Sequence, residues 1–502
     1  MVYFKLGIIL LLLLSVSIKE TVSAITDNYE QCEHIVKKWA SSSLDSDVLG
    51  DKHELRDLLF FLHIPRTGGR TYLHCFLKKL YSNSLECPRS YDKLRFNPRK
   101  SNCRLLSTHD DYSMISKFPK EKISVVTILR NPIDRIFSTY EFSVEVAARF
   151  LIHPNLTSVA RMVKRVRGKT SGVSTLDIWP WKYLVPWMRE DLFARRDARK
   201  LKTGAYLATN NPYDMEDILM PLHEYINNPI SQDIIHNGAT FQIVGLTNNS
   251  YFVEAHGIRH CVFKHKSLGE YVLKVAKKRL DDMLYVGLTE KHRESATMFA
   301  NVVGAQVISQ HLASGSNADV ASNDDSEQSS SLSDAQHGAN NQGNDAHQML
   351  KNISSTRQDE VGHKNLTVGK LMEAYESCIS TLRNTQAERR VNSLKRISPA
   401  NLTKEARLMV PEALIQEITL LNSLDVELYN YAHDIFTKQQ THMMQSMAYA
   451  EKVESTFNSS AYADFYGPPS WKFPSLLAIS GFLLFLFIFI FLSSRRTSKV
   501  KL

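Results

Sequence analysis

No two cysteines in this chain stand three positions apart, and the Gly-x-x-x-x-Gly-Lys-Ser/Thr run of a nucleoside-triphosphate loop is missing at its one Gly-Gly turn. The first absence removes the usual zinc-ligand spacing. The second removes a Walker-type loop. Histidine, cysteine and carboxylates gather nowhere at metal-ligand spacing, so no metal is expected. Long apolar runs are confined to the two ends of the 502 residues. Composition between them is ordinary for a globular protein.

The first end reads MVYFKLGIILLLLLSVSIKETVSA. Lys5 supplies the positive n-region, residues 6–16 form an apolar core, and Val22-Ser23-Ala24 is a small-residue cleavage pattern. That is a secretory signal peptide over 1–24. The other end carries an uncharged apolar run, 475–493, with Arg495, Arg496, Lys499 and Lys501 after it. It has about the minimum length to span a bilayer, and clustered basic residues stay cytosolic. Basic residues after the run argue against a lipid-anchor signal. The expectation is a single-pass type I protein with a lumenal body and a basic tail, 494–502. A short, Phe-rich span suits a thin bilayer such as the Golgi membrane. The six cysteines (Cys32, Cys75, Cys87, Cys103, Cys261, Cys378) permit three disulfides in an oxidising compartment. Cys75, Cys87 and Cys103 lie near one another in sequence, so a bridge among them is plausible; the pairing stays open. Sequons at Asn155, Asn248, Asn352, Asn365, Asn401 and Asn458 fit a lumenal glycoprotein.

Between the ends, residues 25–54 form an N-terminal lumenal segment and 55–310 a main domain. Residues 311–348 are rich in Ser, Asn, Asp, Gly and Gln with few large apolar side chains. Such a segment cannot bury enough surface to fold and reads as a disordered insertion. Helical periodicity resumes over 349–440, and 441–474 reads as a stalk. The main domain is α/β. Residues 58–64 and ISVVTIL (123–129) are continuous apolar runs, as in buried parallel strands. After the first strand, Leu73, Phe76, Leu77 and Leu80 share a helical face. The fold class expected is a parallel sheet flanked by helices, with ligands at the carboxyl ends of the strands.

Each strand ends in an anion-binding pattern. In HIPRTGGRT the paired glycines, Gly68 and Gly69, allow close backbone approach. Arg66 and Arg70 supply bidentate charge, and Thr67 and Thr71 hydroxyls. In LRNPIDRIFSTY, Arg130, Arg135 and Ser138 surround a second helix start. Two such loops imply a ligand with two separated anionic groups.

The pair resembles the 5′-phosphosulfate loop and 3′-phosphate motif of sulfotransferases that use 3′-phosphoadenosine 5′-phosphosulfate (PAPS). The heparan sulfate 6-O-sulfotransferases carry HIQKTGGTT against HIPRTGGRT here. LLSTHDDYSMI around His109, VGLTEKHRES at 286–295 and LNSLDVELYNYAHDIF at 421–436 agree in the same order. The resemblance covers roughly residues 55–440, apart from the insertion, and implies a P-loop-like sulfotransferase fold. Two features depart from the glycan enzymes. They are anchored at the N-terminus, whereas the type I layout here is similar to the plant tyrosylprotein sulfotransferases. Their loop lysine is Arg66 here, and the animal tyrosylprotein enzymes also place arginine there.

The resemblance implies a PAPS-dependent protein-tyrosine sulfotransferase acting on secreted peptides. Alternatives are a glycan O-sulfotransferase and a non-enzymatic type I cargo-binding protein. Arg66 would stabilise the transferring sulfuryl group. Thr67, Gly68, Gly69, Arg70 and Thr71 would hold the 5′-phosphate, and Arg130 and Ser138 the 3′-phosphate. A phenol of pKa ~10 is protonated near neutrality, so a base is needed, and the resemblance gives that role to His109. Asp110 and Asp111 are expected to orient its ring or raise its pKa. His63 is expected to pack at the strand end. The net charge of +9 includes basic runs at 161–169 and 195–202. These form either a solvated face or a field that attracts acidic acceptor peptides. Compartment excludes nucleic acid.

Overall fold

The computed structural model describes residues 28–45, 51–87, 103–167, 174–201, 211–316 and 366–465. The chain divides into two units, 1–438 and 439–502, and the sheet and both anion loops belong to the first. Four strands form one sheet in the order β2-β1-β3-β4: β1 Leu58–Leu62, β2 Leu105–Thr108, β3 Ile123–Leu129 and β4 Tyr285–Leu288. Every pairing is parallel. All residues of β1 and β3 are buried, which is why neither alternates apolar with polar; the Ser124 and Thr127 hydroxyls of β3 donate to the Glu54 and Leu62 carbonyls.

The chain leaves β1 toward β2 on one side and returns to β3 on the other. The two central strands therefore flank the point where the order reverses, and a crevice opens outside their carboxyl ends. The Gly-Gly loop follows β1 and the Arg130 loop follows β3. The expected helix after the first loop is present, its middle turn widened to a π-helix at Leu73–Leu77. Leu73, Phe76, Leu77 and Leu80 are all buried. The helix Pro132–Arg149 starts at an Asn131 cap, whose side chain accepts from the amides of Ile133 and Asp134.

Two disulfides join distant parts of the chain, Cys32–Cys261 and Cys75–Cys378, and a third, Cys87–Cys103, is local. The bridge expected among Cys75, Cys87 and Cys103 is the last of these. Cys75 instead reaches across 303 positions, because the helix Val368–Leu394 packs on the π-turn. There Tyr375 stacks on Phe76 with ring centroids 4.1 Å apart. The expected disordered insertion begins too early at 311. Residues 311–316 complete the helix Ala305–Ser316, anchored by His311 Nε2 against the Leu80 carbonyl at 3.0 Å; 317–348 lie outside the described residues. Residues 441–465 of the expected stalk are helical, within Ser423–Phe465. The signal peptide 1–24, the span 475–493, the tail 494–502, Asn352 and Asn365 also lie outside the described residues. No helix among those described is long and apolar enough to cross a membrane. Asn155, Asn248 and Asn401 are exposed. Asn458 falls within the helix Ser423–Phe465.

Candidate active site

Arg66 begins the first loop in a left-handed backbone conformation, φ 69°, and Gly68 follows at φ 82°. A non-glycine residue held there carries strain, roughly 1–3 kcal/mol, which surrounding contacts must hold in place. They are visible: Arg130 Nη1 donates to the Arg66 carbonyl at 3.3 Å, Arg66 Nε donates to Ser138 Oγ at 2.9 Å, and the guanidinium lies 4.3 Å over the Phe142 ring. Gly69 is required for a different reason. A Cβ there would stand 2.3 Å from His63 Cδ2.

The two loops are tied together from β4. Thr289 Oγ1 lies 2.8 Å from the Thr67 carbonyl and 2.9 Å from that of Leu129. Glu290 accepts from the Asn131 amide at 3.0 Å and from the Tyr429 hydroxyl at 2.8 Å. These contacts give the 286–295 stretch its structural work. Thr67 turns its hydroxyl inward to the Ile64 carbonyl at 2.9 Å, so that side chain closes the turn. Gly68 and Arg70 are exposed, Thr71 and Arg130 half-buried.

His109 follows the last residue of β2 and His63 the last of β1, with ring centroids 4.2 Å apart. His63 also stacks on Phe61, so it packs at the strand end as expected and borders the site as well. Burial, and then the Arg66 cation, push the His109 imidazole down to about 3. Burial first, then His109 and Arg66, hold His63 well below the ordinary range. Burial, and then Arg130, lower Arg66 to about 10, which leaves it charged. The expected role of Asp110 and Asp111 in raising His109 is not what the structure holds. Asp110 accepts from Thr108 Oγ1 at 2.7 Å and from Asn249 Nδ2. Asp111 accepts from the Ser113 amide at 3.0 Å and from Thr247 Oγ1 at 2.7 Å. Both carboxylates fasten the end of β2 to the 247–249 turn instead of facing the imidazole. Burial raises Asp110 to about 7.

The three residues expected around the second helix start divide: Arg130 and Ser138, the pair expected to hold the 3′-phosphate, both contact Arg66. Ser138 reaches the site. Arg135 turns away into the core and pairs with Asp425. Three positions apart, Arg135 and Ser138 start from the same side of the helix, and their side chains diverge to different partners, Asp425 and Arg66. Reading the sequence also missed Phe142, Thr289, Gln242, Arg390 and Arg407. None lies in a glycine- or proline-marked loop.

A cleft of about 510 Å³ opens beside Ser138, lined among others by Glu141, Arg390, Lys395, Lys404 and Arg407. Glu141 is neutralised by Arg407 at 2.7 Å and Arg390 at 3.1 Å, so Lys395 and Lys404 leave the lining cationic. A second cleft, of about 840 Å³, includes Ile123, Ser124 and Leu284 in its lining. It therefore sits at the amino ends of β3 and β4, away from the loops. Of the basic runs, Arg195, Arg196 and Lys200 are paired with Asp191, Glu224 and Asp197.

Residues 22–177 match the family described as Sulfotransferase domain, a stretch that contains both loops and His109. A protein-tyrosine sulfotransferase of Arabidopsis thaliana is 54% identical over 506 aligned positions, which cover 99% of each chain. Identity at that level extends well past the shared domain, through β4 and the Asp425 helix, and the chain belongs to the protein-tyrosine sulfotransferase family.

Proposed function

We propose that the chain transfers the sulfuryl group of PAPS to tyrosine hydroxyls of secreted peptides and proteins. The observation that carries this is the convergence of Arg66, Arg130 and Ser138 beside His109 at the carboxyl ends of three adjacent parallel strands. A bisphosphorylated donor fits the residues present. Left-handed residues flanking Thr67 are the backbone pattern of an anion-binding concavity, and the cleft beside Ser138 is cationic and of ligand size. In this reading Gly68, Gly69, Arg70 and Thr71 hold the 5′-phosphate with Thr67 shaping the turn. Arg130 and Ser138 take the 3′-phosphate at the mouth of that cleft.

Bound PAPS supplies a sulfuryl group whose negative charge spreads during in-line transfer, by analogy with phosphoryl transfer. Arg66 places a fixed cation where that charge develops, in a site that excludes most water. Its preset backbone and its stacking on Phe142 mean little reorganisation is needed. His109 stays neutral across the physiological range, because burial and Arg66 both oppose its protonation. Its lone pair can therefore take the phenol proton. Charge brought to Arg66 by an anionic donor offsets the cation that depresses His109, so the imidazole gains basicity once the donor is in place.

The apolar ends of the sequence and the three disulfides support a type I Golgi protein with this domain lumenal. Exposure of Asn155, Asn248 and Asn401 supports glycosylation there. The net charge of +9 supports acidic acceptors. The test is mass spectrometry of an acidic tyrosine peptide incubated with PAPS and the protein, wild type beside His109→Ala. One added SO₃ on tyrosine, absent with the variant, is expected. Product with both proteins moves the base elsewhere. Product on a desulfated glycan and none on the peptide overturns the acceptor class.

A further inference from the structure

The two histidines at the site sit just past the ends of β1 and β2, where the sheet ladder stops. The last ladder bond runs from the His63 amide to the Thr108 carbonyl at 3.1 Å. Beyond it, the carbonyls of His63 and His109 meet a side chain from another element. That side chain is Gln242. Its Nε2 lies 2.9 Å from the His109 carbonyl and 3.3 Å from those of His63 and Asp110. Three carbonyls around one nitrogen fix which way the amide faces, since its oxygen would be repelled there. The side chain is 1% exposed, so water cannot substitute for it.

The element that carries Gln242 is itself held. The helix Gly238–Ile243 receives Asp425 at its start, through the Thr240 amide at 2.7 Å and Thr240 Oγ1 at 2.7 Å. Asn237 Oδ1 in turn accepts from the amides of Leu424 and Asp425. Arg135, on the helix that follows the second anion loop, grips the same carboxylate. Asp425 thus ties that helix to the short helix Gly238–Ile243, and Gln242 on the short helix reaches the two histidine-bearing strand ends.

We infer that Gln242 is a positioning residue for the sulfuryl transfer: its amide sets the spacing of the His63 and His109 backbones and so the aim of the His109 imidazole. The inference rests on the reading of His109 as the base. Displacement of a reacting group by about 1 Å can cost on the order of 100-fold in rate. Arg66, Arg130 and Ser138 make no contact with Gln242 in the hydrogen-bond network, so donor binding is not expected to follow.

The experiment uses the full chain with PAPS and an acidic tyrosine peptide. Gln242→Met keeps the volume and removes both N–H donors. Its kcat is expected to fall about 10–100-fold, while KM for PAPS and calorimetric affinity for 3′-phosphoadenosine 5′-phosphate stay within about threefold. Gln242→Glu supplies a conservative readout. When protonated, its carboxyl donates one hydrogen bond to the same carbonyls; when ionised, it repels all three. Burial and those carbonyls raise its pKa. Its kcat relative to wild type should therefore be partly restored on the acid side and fall as pH rises, a profile Gln242→Met lacks. Wild-type kcat in folded Gln242→Met, or equal loss of kcat and donor affinity, overturns the inference. So does a flat relative profile for Gln242→Glu. His109→Ala run alongside separates the two readings: if it stays active, the base assignment fails first. If it is inactive while Gln242→Met is fully active, only the role of Gln242 fails.

Discussion

Arg135 Nη2 lies 2.9 Å from Asp425 Oδ2, across 290 positions of sequence, and both side chains are 1% exposed. Asp425 also accepts from the amides of Ala239 and Thr240. One carboxylate therefore joins the helix after the second anion loop, the start of the Ser423–Phe465 helix, and the short helix that carries Gln242. Removing it strands a buried guanidinium and two amides. Asp425→Ala is expected to lose about 3–5 kcal/mol in urea unfolding. Arg135→Met together with Asp425→Leu should lose less than the two single changes added, because no charge is then left unpaired.

Gly69→Ala places a Cβ 2.3 Å from His63 Cδ2. The imidazole is packed on Phe61 and against His109, so it cannot retreat freely. Turnover is expected to fall about 100-fold, and affinity for 3′-phosphoadenosine 5′-phosphate to fall with it because the loop is displaced. Adding His63→Ala removes the clash and should restore affinity for 3′-phosphoadenosine 5′-phosphate, measured by calorimetry.

Arg66→Ala removes the cation proposed at the transferring group, and kcat should fall about 10²–10³-fold. It also removes the second cause of His109's low pKa. The imidazolium is then less opposed, so the His109 pKa should rise, as read by histidine NMR titration. Burial, the larger cause, remains, and the value should stay below the ordinary range. The φ of 69° at this position separates two further variants. Arg66→Gly should be more stable than Arg66→Ala by about 1–2 kcal/mol, with kcat reduced alike in both.

Asp110 has a folded-state pKa raised to about 7, by burial first and with Asp111 adding to it. A carboxyl raised above its unfolded value contributes stability that is fully present below the unfolded pKa near 4 and is lost as pH rises through the folded one. Asp110→Asn removes that loss. Its effect on thermal stability relative to wild type should therefore become more favourable from pH 5 to pH 8. A difference independent of pH would show that Asp110 does not titrate in this window.

Some of this was open to reading in the sequence because the governing physics is local. A fully buried parallel strand must be apolar on both faces, and 123–129 is β3 residue for residue. A turn with φ of 82° and a backbone with no room for a Cβ beside an imidazole both favour glycine, so the Gly-Gly loop announced itself. Arg66, Arg130 and Ser138 were found by spacing from those strands. His109 came only through the likeness to a known family, since nothing around a lone histidine marks it as a base.

Tertiary structure decided which charged groups meet. Arg135 and Ser138 stand three positions apart on one helix, yet one enters the core and the other the site, according to what packs against each side chain. Asp110 and Asp111 look like partners of the neighbouring histidine, but the 247–249 turn claims them. The partner of Cys75 was set by a helix 303 residues on. Gln242 had no sequence signal, because its role depends on two carbonyls brought together where separate strands end. Periodicity and turn chemistry act between near neighbours and leave a trace in composition. Pairing of buried polar groups is settled by where the folded chain leaves a donor or acceptor unmatched.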